Sequence, residues 1–419
     1  MAAEAVDSIG RAAGPVTSPD EPAGAGPDRT RPTPEVSPDK VVAEAAMLLL
    51  CASRLRWLDA EIDGRIDALT GPLTAHARSG PVLAAICSDP GRAREYAVAH
   101  AILSRLGHLD PDVDRLLRQS LEAAVEVGPE RLDHRRLELE WLDRVWTSGA
   151  PRRRPERGLM GRSMLGRPVD ALAATRLDLY AFTHAVMYAT DLGMRRVALP
   201  RSPAAVCADA EAGLAFGLEA DDLDLTAELC MTWPMLGRRW SPAAAFALGI
   251  VAGAEDERGF LPGIGFDQAR YTELPAGERR GYVLATSYHA TFVMGFLCAI
   301  TLANEVVPPA AVPPRRRSTG AGRILLERLD AAGAHRAWLV AARALTPAAQ
   351  DAIAPLILVA ALRRARERGN MDLLRDALEV AVAHDLLGGP GPRQGAALLR
   401  RATTLDSIEG RRPQGVRTG

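Results

Sequence analysis

The residues of this chain that could do chemistry are concentrated in one short stretch, LDLYAFTHAVMYATDLG, at positions 177–193. Tyr180, His184, Tyr188 and Asp191 lie there among mostly apolar neighbours. On an α-helix these four side chains fall within about 80° of one another, so they would form one polar stripe. An imidazole titrates near neutral pH, a carboxylate can orient it, and phenols donate hydrogen bonds. The stretch therefore predicts an acid–base site with His184 as proton carrier. Asp191 would orient it or bind a metal, and the tyrosines would donate to the substrate.

The same stripe could also be the solvent-facing side of an ordinary amphipathic helix. Solvent faces elsewhere in the chain consist of Arg, Glu and Asp, as in RLDHRRLELEWLDR at 131–144. The stripe instead contains Tyr, Thr, His, Met and Asp, which suits a partly buried wall. An acidic group at Asp191, near the negative end of the helix dipole, also needs a partner. The composition of the stripe therefore favours a functional site over an ordinary solvent-facing helix surface.

A second histidine, His289, lies in the apolar segment GYVLATSYHATFVMGFLCA at 281–299, with Tyr282 two turns before it. A histidine in such a segment can also be a hydrogen-bonded core residue. We expect His289 to be catalytic if His184 and His289 face one cavity. Tyr282 would then contact the substrate.

Further substrate contacts are expected from Tyr180 and from the segment GRSMLGRPVD at 161–170. Its Arg162 and Arg167 precede the histidine-bearing stretch, where guanidinium groups could hold an acidic group of the substrate. An arginine-rich loop can equally be plain solvent-facing surface.

An acidic segment, EADDLDLTAELC at 219–230, contributes Asp221, Asp222 and Asp224 near the expected start of a helix. Carboxylates there favour the helix dipole without any ligand. The alternative is a metal or diphosphate site. The sequence leaves this choice open; it assigns no metal ligand and leaves the cofactor unknown.

Several common mechanisms are excluded by residues that the chain lacks. Lys40 is the only lysine, and it lies near the amino terminus, so a P-loop, a protein-kinase site and a pyridoxal phosphate Schiff base cannot be built. The motifs His-Glu-x-x-His and Gly-x-Ser-x-Gly are absent. The five cysteines contain no Cys-x-x-Cys pair, so we expect buried thiols and no zinc ribbon.

The composition is that of a soluble globular protein, with 47% apolar and 25% charged residues among 419. The formal net charge of −1 leaves no basic footprint for nucleic acid. The apolar runs near 42–51 and 283–302 are interrupted by polar groups, and the amino terminus does not resemble a secretory signal. We therefore expect a cytoplasmic protein that binds neither nucleic acid nor membrane.

The elements that must position these residues are predicted to be helices. Six places pair a side-chain oxygen with a following proline, as helix starts do. They are Ser37–Pro38, Asp89–Pro90, Asp110–Pro111, Ser202–Pro203, Ser241–Pro242 and Thr346–Pro347. Apolar residues recur at spacings of three and four, and no segment keeps a period of two. The fold class is therefore all-α, with antiparallel helical hairpins forming an α/α toroid or a solenoid.

Proline-rich and arginine-rich breaks divide the chain into blocks. The expected organisation is a disordered segment at 1–36, an amino-terminal helical block at 37–147, a central block with the candidate site at 160–305, a carboxy-terminal helical block at 320–405 and a flexible tail at 406–419. YAVAHAILSRLG and YAFTHAVMYATDLG begin at Tyr96 and Tyr180 and match at several positions. These matches favour a repeat of helical hairpins.

The glycine-rich turn AEDERGFLPG at 254–263, between expected helices, resembles those of the α/α toroids of terpenoid cyclases, prenyltransferase β-subunits and six-hairpin sugar enzymes. The resemblance spans about 200–400 and implies a shape, not a chemistry. Class II cyclases carry Asp-x-Asp-Asp where this chain has DDLD at 221–224, and the Asp-x-Cys of prenyltransferases is absent. THAVMYATDLG at 183–193 looks like a motif of uncharacterised actinobacterial helical proteins encoded near natural-product gene clusters.

Together these observations predict a tailoring or accessory enzyme of actinobacterial natural-product biosynthesis. It would use acid–base chemistry on a small-molecule or peptide substrate. The alternative is a non-catalytic helical scaffold that binds a peptide or protein partner in a groove. A deep enclosed pocket lined by the histidines would favour the enzyme, and an open apolar groove would favour the scaffold.

Overall fold

The computed structural model describes residues 37–124, 130–147, 157–315, 318–333 and 336–409. Every regular element in these ranges is a helix, which confirms the all-α prediction. The segment expected to be disordered at 1–36, most of the break at 147–161 and the tail from 410 lie outside the described residues. Residues 406–409, expected to belong to the tail, continue the last helix.

The first helices, which precede the histidine-bearing stretch, are α1 (Pro38–Ala52), α2 (Ala60–Ala77), α3 (Gly80–Ser88), α4 (Ala93–Tyr96), α5 (Val98–Arg105), α6 (Pro111–Ala123), α7 (Asp133–Trp146) and α8 (Arg157–Arg162). The central helices are α9 (Arg176–Ala189), α10 (Pro203–Glu219), α11 (Leu223–Cys230), α12 (Thr232–Leu236), α13 (Pro242–Arg258), α14 (Gln268–Glu273) and α15 (Ala276–Ala303). The last are α16 (Ala321–Ala331), α17 (Ala337–Ala344), α18 (Pro347–Ala352), α19 (Ala354–Glu367), α20 (Met371–Ala383) and α21 (Pro390–Glu409).

All six predicted helix starts are confirmed, although that at Asp89 opens only a short 3₁₀ turn, Pro90–Arg92. The side chains of Asp110, Ser202, Ser241 and Thr346 accept a backbone N–H of the first turn. Ser37 and Asp89 precede their helices without making such a bond. Proline alone therefore marks these two starts, because its fixed φ is already helical.

Four helices, α1, α9, α11 and α15, surround the candidate site. The long helix α15 packs on α1 and α11, and α11 also packs on α9, α10 and α13. Most of the buried apolar side chains form one hydrophobic cluster that includes residues from Val41 to Leu386. The core thus joins helices from all three blocks that the sequence suggested.

Small residues allow these helices to approach closely. A Cβ added at Gly217 of α10 would lie 2.4 Å from the Thr226 Oγ1 atom of α11, and one at Gly295 of α15 would lie 3.0 Å from Leu48 of α1. Real Cβ atoms rarely come so near to another atom, so a larger residue at Gly217 would push α11 away. These glycines set the distances between the helices that carry the site.

The starts of α9 and α11 are tied together by side chains. Thr175 and Asp178 form a capping box at the start of α9. Asp222 caps α11 by accepting from the Leu225 N–H at 3.1 Å, and it also accepts from Arg176 Nε of α9 at 2.6 Å. Asp222 therefore fixes both the beginning of α11 and its position beside α9.

Among the described residues, α15 has the length and apolar composition that a membrane span would need. Half of its most apolar window is buried inside the fold. The same helix carries a charged contact in its middle, between His289 and Glu44 of α1. Length and composition are also met by core helices that lie inside a globular fold.

The cysteines differ in part from expectation. All five are free thiols, in agreement with the absence of paired spacings. Cys51, Cys207 and Cys230 are buried, as predicted. The prediction of burial is wrong for Cys87 and Cys298, because both positions lie on exposed helix faces.

Candidate functional site

Three carboxylates and two imidazoles meet between α1, α9, α11 and α15. We call Glu44, His184, Asp224, Glu228 and His289 the carboxylate–histidine cluster. His289 Nε2 lies 3.5 Å from Asp224 Oδ2 and 3.8 Å from Glu228 Oε1. Its other ring nitrogen, Nδ1, lies 3.0 Å from Glu44 Oε2. His184 Nε2 lies 3.8 Å from the same Glu228 Oε1.

The carboxylates form the buried side of the cluster and the imidazoles its accessible side. The side chains of Asp224 and Glu228 are 5% and 1% exposed, respectively. Those of His184 and His289 are 20% and 29% exposed. Solvent, and therefore a polar ligand, can reach the imidazoles while the carboxylates behind them stay shielded.

Neighbouring side chains of α9 orient the two buried carboxylates. Thr183 Oγ1 donates to Glu228 Oε2 at 2.5 Å, which leaves Oε1 to face the imidazoles. The Tyr180 hydroxyl donates to Asp224 Oδ2 and accepts from Arg176 Nη2 at 2.8 Å. The second oxygen of Asp224, Oδ1, is buried and makes no hydrogen bond to any described residue. Such an unmet acceptor is costly and uncommon in a folded protein.

The cluster shifts the pKa values of its own members. Burial acts to lower the pKa of His289, but the carboxylates of Asp224, Glu44 and Glu228 hold it well above the ordinary value. Burial acts to raise the pKa of Glu228, but the two imidazoles hold it below its usual range. For Asp224, burial dominates and raises the pKa to about 6, against the opposing effect of His289. One cluster therefore holds an ionised carboxylate, a cationic imidazole and a carboxyl group that titrates near neutrality.

Two flanking groups are kept neutral. Burial, together with Asp224 and Glu228, raises the pKa of Tyr180 far above that of a free phenol. Burial also lowers the pKa of His134, on α7, to about 4, with Arg135 and His184 acting in the same direction. The His134 and His184 rings lie 6.3 Å apart. Tyr180 is thus a hydrogen-bond donor, and His134 is a neutral neighbour of the cluster.

The structure brings together three of the residues that the sequence suggested, His184, His289 and Tyr180. His184 and His289 both lie 3.8 Å from Glu228 Oε1, so the structure places the two imidazoles beside one carboxylate. Asp224, which the sequence left open between helix dipole and metal site, lies in the cluster. Asp222 instead caps the helix, as the dipole interpretation implies.

The expected pairing of His184 with Asp191 is wrong. Helix α9 ends at Ala189, and Asp191, Leu192 and Gly193 all adopt positive φ, so Asp191 leaves the face that carries His184. Its carboxylate accepts two hydrogen bonds from Arg105, both 3.0 Å long, and one of 2.7 Å from Trp141 Nε1. The partner that a carboxylate at this position needs is therefore Arg105.

Tyr188 and Tyr282 lie near the cluster but direct their hydroxyls elsewhere. The Tyr188 ring is 5.8 Å from that of His184, and its hydroxyl donates to Glu138 at 3.0 Å. The Tyr282 hydroxyl accepts from the Asp267 N–H at 2.8 Å. Tyr282 precedes His289 by two helical turns, or about 10 Å along α15. Both phenols support the surrounding structure.

Arg162 and Arg167 are exposed and contact other parts of the surface. Arg162 Nε lies 3.6 Å from Asp133, and the Arg167 guanidinium lies 3.4 Å from the sulfur of Met164. The arginine that the structure places at the cluster is Arg176, whose Nη2 lies 3.6 Å from Asp224 Oδ2. Arg176, and not Arg162 or Arg167, is therefore the arginine that lies at the cluster.

Sequence reasoning missed Glu44 and Glu228. Glu44 is the single charged side chain within VVAEAAMLLLC at 41–51. Glu228 follows Asp224 by four positions, with only uncharged residues between them, so both carboxylates share one helix face. A buried carboxylate needs a partner, and an isolated acidic residue in an apolar run is thus the signal that was available.

Comparison with known proteins gives a family but no activity. The model of a domain of unknown function, DUF6895, matches residues 4–299, more than half of the 419 residues. The matched region includes every member of the carboxylate–histidine cluster. No curated protein and no solved structure matches the chain.

Proposed function

The chain belongs to the DUF6895 family, and we propose that it is an enzyme whose carboxylate–histidine cluster carries out acid–base chemistry on a small polar substrate. The observation that carries this proposal is the convergence of two imidazoles on one carboxylate oxygen. His184 Nε2 and His289 Nε2 each lie 3.8 Å from Glu228 Oε1, although they come from different helices. Clusters of ionisable side chains that shift one another's pKa values are typical of functional sites.

Within this proposal the groups have distinct tasks. His184 is partly exposed and is the proton carrier, while Glu228 orients it in place of Asp191. Tyr180, kept neutral between Arg176 and Asp224, supplies a hydrogen bond. His289 is held by Glu44 through Nδ1, so its Nε2 faces the centre of the cluster.

The arrangement of hairpins as an α/α toroid or solenoid belongs to the same proposal. Several consecutive helices pack on each other, among them α10 on α11, α19 on α20 and α20 on α21, as hairpins do. The glycine-rich turn after α13 contains Gly259 with a positive φ of 73°, which ends that helix. Both observations support helical hairpins. We further propose that these hairpins close into a ring.

The biological context is also part of the proposal. We place the enzyme in the cytoplasm, as a tailoring or accessory step in actinobacterial natural-product biosynthesis that acts on a small molecule or peptide. Its support is the resemblance of THAVMYATDLG to proteins of such gene clusters, together with the near-complete use of arginine in place of lysine.

The test is a comparison of metabolite profiles in the host that encodes the chain. A deletion strain would be complemented with the wild type, with His184→Ala or with His108→Ala. His108 is an exposed histidine outside the cluster, so it is a matched control. We expect His108→Ala to restore the parental profile and His184→Ala to leave the deletion profile, with both proteins present at wild-type levels.

If folded His184→Ala restored the profile fully, the catalytic proposal would be rejected. The scaffold alternative predicts this result, because a protein that only binds a partner has no need of a proton carrier. Circular dichroism of the purified variants would show whether each is folded.

A further inference from the structure

We propose that Asp224, Glu228 and His289 bind a divalent transition-metal ion of the Zn²⁺ class. This inference rests on the proposed function, since it names what the same site holds, and it adds a ligand set that the sequence did not assign. One ligand atom from each of the three residues can be chosen so that all lie within 4.8 Å of one another. Two carboxylates and one imidazole form a common donor set for such ions.

The distances within this triad suit a shared ion. Ligands of a tetrahedral Zn²⁺ with bonds of about 2.1 Å lie roughly 3.4 Å apart. His289 Nε2 lies 3.5 Å from Asp224 Oδ2 and 3.8 Å from Glu228 Oε1. These separations are longer than those of good hydrogen bonds. Small side-chain adjustments would therefore bring all three donors onto one ion.

Each donor is already oriented by a second group. Glu44 contacts His289 Nδ1 at 3.0 Å, which leaves Nε2 as the ligand atom, the arrangement in which carboxylates support metal-bound histidines. Thr183 occupies Glu228 Oε2 and leaves Oε1 free to bind. Tyr180 contacts Asp224 Oδ2. Each of the three donor residues thus has a neighbouring side chain that holds its orientation, as the ligands of a metal site do.

A further independent observation points to a ligand. Asp224 is only 4% exposed, and its Oδ1 makes no hydrogen bond to any described residue. Leaving a buried carboxylate oxygen without a donor is costly, and a cation that Asp224 binds through both of its oxygens would satisfy Oδ1. His184 Nε2, 3.8 Å from Glu228 Oε1, lies on the accessible side of the triad. It stays outside the ligand set and so remains free to act as the proton carrier of the proposed function.

The test measures metal binding directly, without any activity assay. Full-length protein, freed of metal with a chelator and of any affinity tag, is titrated with Zn²⁺ by calorimetry, and the bound metal is counted by elemental analysis. We expect one equivalent for the wild type. Asp224→Asn and Glu228→Gln should each lose it, because an amide is a poor ligand for this ion. Glu44→Gln should weaken binding by roughly 10- to 100-fold through the orientation of His289.

The matched control is Asp191→Asn, which changes a buried carboxylate outside the triad and should keep one equivalent with unchanged affinity. The proposal is overturned if the wild type binds no Zn²⁺. It is equally overturned if folded Asp224→Asn and Glu228→Gln both bind with affinities within about tenfold of the wild type. If the protein bound no metal, the result of the complementation test would be unaffected. The acid–base proposal and the metal-binding proposal can therefore fail independently.

Discussion

Buried carboxylates lie near both ends of helix α9, and they have different hydrogen-bonding partners. At its carboxyl end, Asp191 accepts three hydrogen bonds from Arg105 and Trp141. Toward its amino end, Asp224 and Glu228 face imidazoles and a phenol, Arg176 lies 3.6 Å from Asp224 Oδ2 without a hydrogen bond to it, and Asp224 Oδ1 has no donor among the described residues. Both oxygens of Asp191 therefore accept hydrogen bonds, whereas Oδ1 of Asp224 accepts none from the described residues.

The difference lies in the nature of the partners. An arginine remains charged at any pH that the folded protein experiences, so its pair with Asp191 is fixed. The imidazoles beside Asp224 and Glu228 can instead bind a ligand or carry a proton, and a phenol can only donate or accept a hydrogen bond. A carboxylate paired with arginine thus stabilises the fold, whereas carboxylates gathered around histidines stay available for a ligand or a proton. The comparison predicts opposite results for equivalent substitutions at the two ends of α9.

The largest expected effect is on product formation. Glu228→Gln removes the charge that both imidazoles face, and we expect product per folded molecule to fall by roughly 10²- to 10⁴-fold, the usual contribution of an acid–base group. Asp191→Asn should keep product per folded molecule near the wild-type level. The measurement is product accumulation in complemented deletion strains, normalised to folded protein. Equal losses in both variants would contradict the comparison.

Stability should respond in the reverse order. Asp191→Ala leaves the guanidinium of Arg105 and the indole N–H of Trp141 without their acceptor, and we expect the free energy of unfolding to fall by about 1.5–3 kcal/mol. Asp224→Asn keeps an acceptor for the Tyr180 hydroxyl and removes a buried charge whose Oδ1 lacks a donor, so we expect a smaller loss of stability than in Asp191→Ala. Urea unfolding of metal-free protein, followed by circular dichroism, would measure both. A larger loss in Asp224→Asn would break the comparison.

Another buried carboxylate, Asp351, sharpens the comparison, because neutral donors alone satisfy it. Asp351 accepts from the Ser318 hydroxyl and from the backbone N–H groups of Thr319, Gly320 and Gly322. These bonds lower the pKa of Asp351 to about 2, although burial acts to raise it.

A lowered folded-state pKa adds stability that is complete above the unfolded value near 4 and is lost as the pH falls toward 2. We expect the wild type to exceed Asp351→Asn by about 2 kcal/mol at pH 6, with the gap closing between pH 4 and 2. Urea unfolding at several pH values would show this. A gap that stayed constant with pH would mean that the charge contributes nothing.

The smallest expected effect concerns the spacing that holds the cluster together. Gly217→Ala places a Cβ 2.4 Å from Thr226 Oγ1, so α11 must shift. Overpacking of this kind costs about 1–3 kcal/mol, and the better helix propensity of alanine offsets about 1 kcal/mol of it.

Gly249→Ala on α13 is the matched control, since nothing lies within 4 Å of its added Cβ and it should be neutral or stabilising. Thermal unfolding would measure both variants, and Zn²⁺ titration would show whether the shift of α11 reaches the ligands. Equal stability of the two variants would show that the close approach of α10 and α11 is not needed.

The fold was accessible from the sequence where local chemistry decides it. Ser, Thr or Asp followed by Pro predicted six helix starts. The absence of a hydrophobic period of two predicted that the chain forms no β-sheet. Both signals act within a few residues of each other, so one sequence suffices to detect them. The arrangement of helices depends on contacts such as those of Gly217 and Gly295, which no local pattern reveals.

The site was only partly accessible, for a related reason. His184, Tyr180 and His289 could be found as polar residues in apolar segments. The pairing with Asp191 failed because it assumed a helix two residues longer than α9, and positive φ from Asp191 to Gly193 turns the chain away. Glu228 and Glu44 were overlooked, since an isolated glutamate resembles ordinary surface until the burial of its helix is known.

The contact between Glu44 and His289 joins positions 245 residues apart in the chain. Closing so long a loop is a late and slow event in folding, because its entropy must be offset by contacts made elsewhere. A nascent or truncated chain that stops before residue 289 carries the acidic groups without the imidazole that they surround. The carboxylate–histidine cluster is therefore complete only after α15 has been synthesised and has docked against α1, so the presence of the whole cluster reports on completed folding.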